Sequence, residues 1–253
     1  MLKQTIKNKV GAEEWALRVQ LAAAYRLVYH FGWDDLVYTH ISARIPNTDH
    51  HFLLNPLGLT FDEICASNLV KVDLNGNVLD DSNVAVNKAG FVIHSAIHEA
   101  RQDAMCVIHL HSDYGVAVSM QNNGLIPASQ TAMMISFDIA YHDYEGVVTR
   151  DDEKKRLIDN IKNKNTVILR NHGTITIGET VGKAFERTYY LEKACKYQIL
   201  AQSGGRPFYK PSADVLGNVM QGALEVNKDM PYDHSSWEAL LRRLDRVDPS
   251  FKN

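Results

Sequence analysis

Histidine sets the pattern that could do chemistry. The chain has 11 among 253 residues, a frequency that hints at metal or proton chemistry. Val107-Ile108-His109-Leu110-His111 places two imidazoles two residues apart in a run with strand composition. Side chains two apart on a strand leave the same face, so His109 and His111 offer two nitrogen donors to one ion. His172 closes an apolar strand and precedes a glycine in Ile168-Leu169-Arg170-Asn171-His172-Gly173, at the kind of strand end where sites are commonly built. Three neutral histidines would leave a divalent ion its charge and one open position, as catalytic metal sites require. The same residues also fit plain core or surface histidines, and spacing alone does not bring His172 to the other two.

The elements that must hold these residues alternate between helical and extended patterns. Glu13 to Phe31 reads as a helix stopped by Gly32, and Phe91 to Ala100 as a second with His94 and His98 four apart. Val37 to Arg44, His50 to Leu54, Asn68 to Asp73 and Met105 to His111 read as strands. Asn75-Gly76 marks a hairpin. Asp62-Glu63-Ile64 should make a helical turn, and Tyr114 to Gln121 a helix. Further strands are expected at Ile139 to Tyr141, Thr166 to Leu169 and Thr174 to Ile177, with helices at Asp151 to Lys162 and Thr180 to Ser203. This mixture fits an α/β sandwich with a mainly antiparallel sheet. Residues 1–205 form the main domain. Residues 206–253, interrupted by Pro207, Pro211, Gly217 and Gly222, read as a tail. Its one short helix, Trp237 to Leu244, packs on the domain or on a neighbouring subunit.

Bulk properties exclude several classes. A net charge of −3 gives no basic excess for nucleic acid or anionic membranes. Three scattered cysteines form no CxxC pair, which argues against a disulfide framework or thiolate zinc site. The first 15 residues lack the apolar core of a signal peptide, and no apolar run approaches the roughly 20 residues that span a bilayer. A cytoplasmic protein is expected.

From about Trp15 to Gly205 the chain resembles the class II aldolase/adducin family. The resemblance rests on Thr39-His40-Ile41-Ser42-Ala43-Arg44, Asn55-Pro56-Leu57-Gly58-Leu59, Val86-Asn87-Lys88-Ala89-Gly90-Phe91, His109-Leu110-His111 and Arg170-Asn171-His172-Gly173, in that order. It implies a three-layer α/β/α sandwich of nine strands or a similar number, and a homotetramer with sites near subunit contacts. It also implies zinc on His109, His111 and His172, with manganese, iron, cobalt or nickel as other occupants. Ala66 to Asp73 and Ala140-Tyr141-His142-Asp143-Tyr144 look closer to adducin heads than to sugar-phosphate aldolases.

The pattern also departs from the aldolases. Gly90 stands where they carry an acidic proton shuttle, so that carrier is missing. His40 and Leu57 stand where small amide or hydroxyl side chains would hold a phosphate, and Asn87-Lys88-Ala89 replaces a serine-rich turn. Lys88, His40, His94 and Tyr141 are the candidates for catalytic proton transfer. Lys88 equally fits a solvated turn, His94 a satisfied core histidine, and Tyr141 interface packing. Arg44, Asn55, Asn87 and Arg170 are the candidates for substrate binding. The two arginines suit a carboxylate, or internal ion pairs.

Two functions are expected to compete. One is a metal-dependent lyase of small hydroxy or keto carbonyl compounds, by retro-aldol cleavage or decarboxylation. The other is a non-catalytic, adducin-head-like scaffold with a structural or vestigial metal, for which actin is a partner by analogy only.

Overall fold

The computed structural model describes residues 6–80, 84–146, 151–209, 211–229 and 232–253. Helix α1 (Ala12–Phe31) ends where Gly32 turns left-handed at φ 67°. Trp33 then donates to the Val28 carbonyl, a closure that a side chain at the αL position would strain.

Among the described residues seven strands follow: β1 (His40–Arg44), β2 (Phe52–Leu54), β3 (Val70–Val72), β4 (Cys106–Leu110), β5 (Ile139–His142), β6 (Thr166–Leu169) and β7 (Gly173–Gly178). They form one sheet in the order β3-β2-β1-β4-β7-β6-β5. Every neighbouring pair is antiparallel except β5 and β6, which run parallel. Helix α5 (Asp151–Ile161) provides the crossover between them, as a parallel connection requires.

The mainly antiparallel sheet is the expected one, with seven strands among the described residues. The hairpin expected at Asn75-Gly76 is short. The turn forms, with Gly76 at φ 71°, and its return arm meets β3 at a Val72–Val78 bridge, with Leu79 N–H on the Lys71 carbonyl at 2.8 Å. Val37 to Tyr38 also stays outside β1, because Thr39 is left-handed at φ 64° and breaks the extended run.

Helices cover both faces of the sheet. The chain continues through α2 (Lys88–Ala100), α3 (Asp113–Ser119), α4 (Gln130–Ile135), α6 (Val181–Gln202), α7 (Ala213–Asp229) and α8 (Tyr232–Val247). On one face, Ile41, Ala43, Cys106, Ile108 and Leu110 pack against α1, α6 and α8. Ile168 extends that layer to α3 and α4. On the other face, Val107, Val167, Leu169, Ile175 and Ile177 pack against α2 and α5. This is the three-layer α/β/α sandwich.

Two helices were not expected from the sequence. Short α4 carries little periodic signal. Helix α7 contains Gly217 and Gly222, each costing about 1 kcal/mol relative to alanine in a helix, and a Cβ at either would meet open space. Helix α8 is longer than expected and anchors through Trp237, which lies against Gly182 and Phe185 and donates to Gln20. Phe251 is fully buried beyond it, and its carbonyl accepts from Ala66 at 2.9 Å. Among the described residues no helix is long and apolar enough to cross a membrane.

Candidate metal centre

Three segments bring the histidine triad together. His109 sits within β4 on the face that carries Val107, and His111 lies just past the end of the strand. His172 comes from the turn between β6 and β7. Asn171 adopts φ 57° there, and the His172 N–H reaches the Leu169 carbonyl at 3.1 Å. Gly173 is needed for this approach, because a Cβ would come within 2.3 Å of the Leu110 carbonyl oxygen. One nitrogen from each ring lies within 4.8 Å of the others, and each pair of ring centroids is 4.8 Å apart.

The rings are also oriented. His109 Nδ1 donates to the Thr174 carbonyl at 3.0 Å, which leaves Nε2 as the lone-pair nitrogen of the neutral ring. His111 Nδ1 lies 2.9 Å from an Asp35 carboxylate oxygen. The two Nε2 atoms face each other at 3.1 Å. Two lone pairs at that distance repel unless a proton or a cation lies between them. Zn–N bonds of about 2.0–2.1 Å would place tetrahedral ligands roughly 3.3 Å apart. Burial, then the neighbouring His172 and His111, holds His109 well below the ordinary histidine pKa. Burial, then His111, lowers His172 to about 4. Neutral imidazoles are the form a metal binds, so the donor set fits a divalent ion.

A second histidine group lies beside the triad, beneath α2. His98 Nδ1 is 2.7 Å from the Ala104 carbonyl oxygen. A carbonyl only accepts, so Nδ1 carries the hydrogen and Nε2 a lone pair. Ser42 Oγ, 2.7 Å from that Nε2, therefore donates to it. Its single hydrogen is then spent, so it accepts from His94 Nδ1, also at 2.7 Å. His94 is left with Nε2 as a bare acceptor, buried and without a partner. Burial holds His94 well below the usual range and brings His98 to about 3.

His40 stacks on His94, with ring centroids 4.1 Å apart. It is buried, neither of its ring nitrogens has a partner, and burial lowers its pKa to about 4. Gly90 explains how it fits: a Cβ there would lie 2.4 Å from His40 Cε1. The imidazole thus takes up space that any side chain at position 90 would begin to fill.

The remaining sequence candidates are engaged elsewhere. Arg44 donates to the His98 carbonyl and lies over the Phe52 ring. Asn55 accepts from the Tyr25 hydroxyl at 2.8 Å. Asn87 caps α2 by accepting from Gly90 N–H. The side chain of Lys88, which opens that helix, lies outside the described residues. Tyr141 accepts from Leu125 N–H at 3.0 Å, and Arg170 stacks over Tyr141 while donating to the Gln121 carbonyl. Arg170 still borders an open depression with Asp143, Tyr144 and Asn171, and a narrower one that reaches His172 and His142.

Ser42, His98 and Asp35 were not singled out from the sequence. The four-residue spacing of His94 and His98 hints at a shared face, but nothing local marks the other two.

A family model described as the Class II Aldolase and Adducin N-terminal domain matches residues 19–199. The chain belongs to this family. An aldolase II superfamily protein from Pseudomonas syringae has the same fold, at 44% identity and a TM-score of 0.95 over 98% of this chain and 100% of that one. An L-fuculose 1-phosphate aldolase from Glaciozyma antarctica superposes at a TM-score of 0.77 with 29% identity, covering 93% and 92% of the two chains. Alpha-adducin of Mus musculus is 45% identical over 76% of this chain, a match that covers 27% of adducin's length.

Proposed function

We propose that the protein is a metal-dependent carbon–carbon lyase acting on a small hydroxy or keto carbonyl compound, by retro-aldol cleavage or decarboxylation. The convergence of His109, His111 and His172 at the sheet's end, beside a narrow depression that reaches His172, carries this reading. A divalent ion held there, zinc first among the choices, would supply Lewis acidity to a substrate carbonyl.

The chain's own residues would do the rest. Thr174 and Asp35 orient two of the rings. His40 replaces the proton carrier that Gly90 cannot provide: it is neutral, has lone-pair capacity and packs against the Gly90 backbone. A buried neutral imidazole accepts a proton from a substrate hydroxyl and returns it to the product carbanion. His94, stacked beneath and fixed by Ser42, keeps that ring in place. A homotetramer with neighbouring copies near the site, as the family resemblance implies, and a cytoplasmic location are part of this reading.

The test is a turnover screen with hydroxy acids, keto acids and aldol adducts on metal-loaded protein, chelated protein and His109→Ala. Product formation that disappears on chelation and falls by more than about 100-fold in His109→Ala is expected. The 45% identity with alpha-adducin favours a second reading, a scaffold with a vestigial centre. Absence of any metal-dependent product would select it.

A further inference from the structure

We propose that Asp35 is a positioning residue of the histidine centre, holding the His111 ring so that its Nε2 points to the position shared with His109 and His172. The proposal rests on the metal reading of the triad and adds a residue to it from outside the three ligand segments.

The two β4 histidines are anchored differently. His109 lies inside the strand, and a main-chain carbonyl, that of Thr174, fixes its Nδ1. His111 lies beyond the strand's last residue, where the ladder offers no such support. Its Nδ1 finds Asp35 instead, at 2.9 Å and 76 residues away in sequence. A carboxylate is a better anchor than a carbonyl in one respect: it accepts the ring hydrogen and also makes the opposite nitrogen more electron-rich. Outer carboxylates of this kind fix the tautomer and raise the basicity of metal-bound histidines.

The segment that delivers Asp35 supplies an independent observation. Between α1 and β1, Leu36 and Thr39 both adopt left-handed backbone, at φ 51° and 64°. Neither residue gains an obvious return from it. Leu36 is 68% exposed, and the buried Thr39 hydroxyl has no hydrogen-bond partner. A β-branched residue at positive φ is a genuine outlier, and such outliers persist where the surroundings over-determine them. Here the turn is closed by Tyr38 N–H on the Asp35 carbonyl at 2.8 Å, and what it presents to His111 is the Asp35 carboxylate. Asp35 is itself 41% exposed and His111 27%, so the pair adds little to fold stability. Its consequence is felt at the ring's other nitrogen.

The experiment measures Zn²⁺ and Co²⁺ affinity by chelator competition for wild type, Asp35→Ala, Asp35→Asn and Asp34→Ala. Asp35→Ala is expected to bind each ion about 10–100-fold more weakly. Asp35→Asn, which keeps an acceptor oxygen but not the charge, should fall between it and wild type. Asp34→Ala removes the adjacent carboxylate and should match wild type. Far-UV circular dichroism and metal-free melting temperatures should be the same for all four, and Asp35→Asn carries the test if the alanine variant does not fold. Wild-type affinity in both Asp35 variants would overturn the proposal. So would an equal loss in Asp34→Ala, which would mean that only the loop's overall charge matters. Failure of the wild type to bind either ion would instead overturn the metal reading beneath it, a result visible before any variant is compared.

Discussion

Strands β1 and β4 present two faces that could hardly differ more. Toward α1 and α6 they offer Ile41, Ala43, Cys106, Ile108 and Leu110, packed with Leu21, Leu27 and Phe185. Toward α2, the alternate positions are His40, Ser42 and Arg44 on β1 and Val107 and His109 on β4, all buried, so that only Val107 is apolar. His94 and His98 descend on them from the helix. The first face is close-packed hydrocarbon, whose burial drives folding at about 25 cal/mol per Å². The second takes polar rings out of water, and leaves nitrogens of His40 and His94 without partners. Each buried unsatisfied group costs about 1–3 kcal/mol. A chain selected for stability alone would fill both faces alike. The contrast fits the proposal that the α2 face serves chemistry, with the triad at its edge.

Acidification should separate the two faces most strongly. His40, His94 and His98 are fully buried and have folded pKa values pushed down, to about 4 for His40 and about 3 for His98. In the unfolded chain they titrate near 6.5. The unfolded state therefore takes up protons first as pH falls, and stability drops with it. Their contribution is intact above about pH 6.5 and is lost progressively toward pH 4, by several kcal/mol in total. Urea melts from pH 7.5 to 4.5 on metal-free protein measure this. A flat profile would mean that the rings are solvated and that the α2 face is not what it looks like.

Phe185→Ala tests the opposite face. Phe185 is fully buried among Phe31, Trp33 and Trp237, so truncation should cost about 3–5 kcal/mol. The acid slope should stay as in wild type, because no titrating group is touched. Ser42→Ala makes the matching lesion beneath α2. It strips the partner from His94 Nδ1 and from His98 Nε2, for a loss of about 1–3 kcal/mol. Here the acid slope should change, and an unaltered one would count against the Ser42 bridge.

The contrast was only half legible in the sequence. Alternation along Val107 to His111 showed which residues share a face, because a strand's period of two is a local property. The sheet order that pairs His40 with His109 is not local, and neither is the left-handed Asn171 that swings His172 into range. The motifs of the family supplied that triad, and the backbone now explains it. Ser42 and Asp35 stayed invisible because their partners are 52 or more residues away. Helix α7 was missed for the opposite reason: local glycine signals at 217 and 222 outweighed a helical pattern that tolerates them. The sequence offers Gly90 as the place of a missing acid, but does not show that His40 occupies the space beside it.

That last pairing permits the finest test. Gly90 lies in the first turn of α2 without positive φ, so alanine suits its backbone and would ordinarily gain about 0.5–1 kcal/mol in a helix. Its Cβ, however, would press on the His40 ring, and overpacking of this kind costs about 1–3 kcal/mol. Gly90→Ala should therefore destabilise the wild-type background. In a His40→Ala background the obstacle is gone, and the same substitution should be neutral or stabilising. The double-mutant cycle, read from urea melts, is expected to show a coupling of about 1–3 kcal/mol, within the range seen for residues in contact. Additivity to within about 0.5 kcal/mol would mean that the ring gives way freely. His40 would then be loosely held, and the rigid, imidazole-packed face on which its proposed proton-carrying role depends would be lost with it.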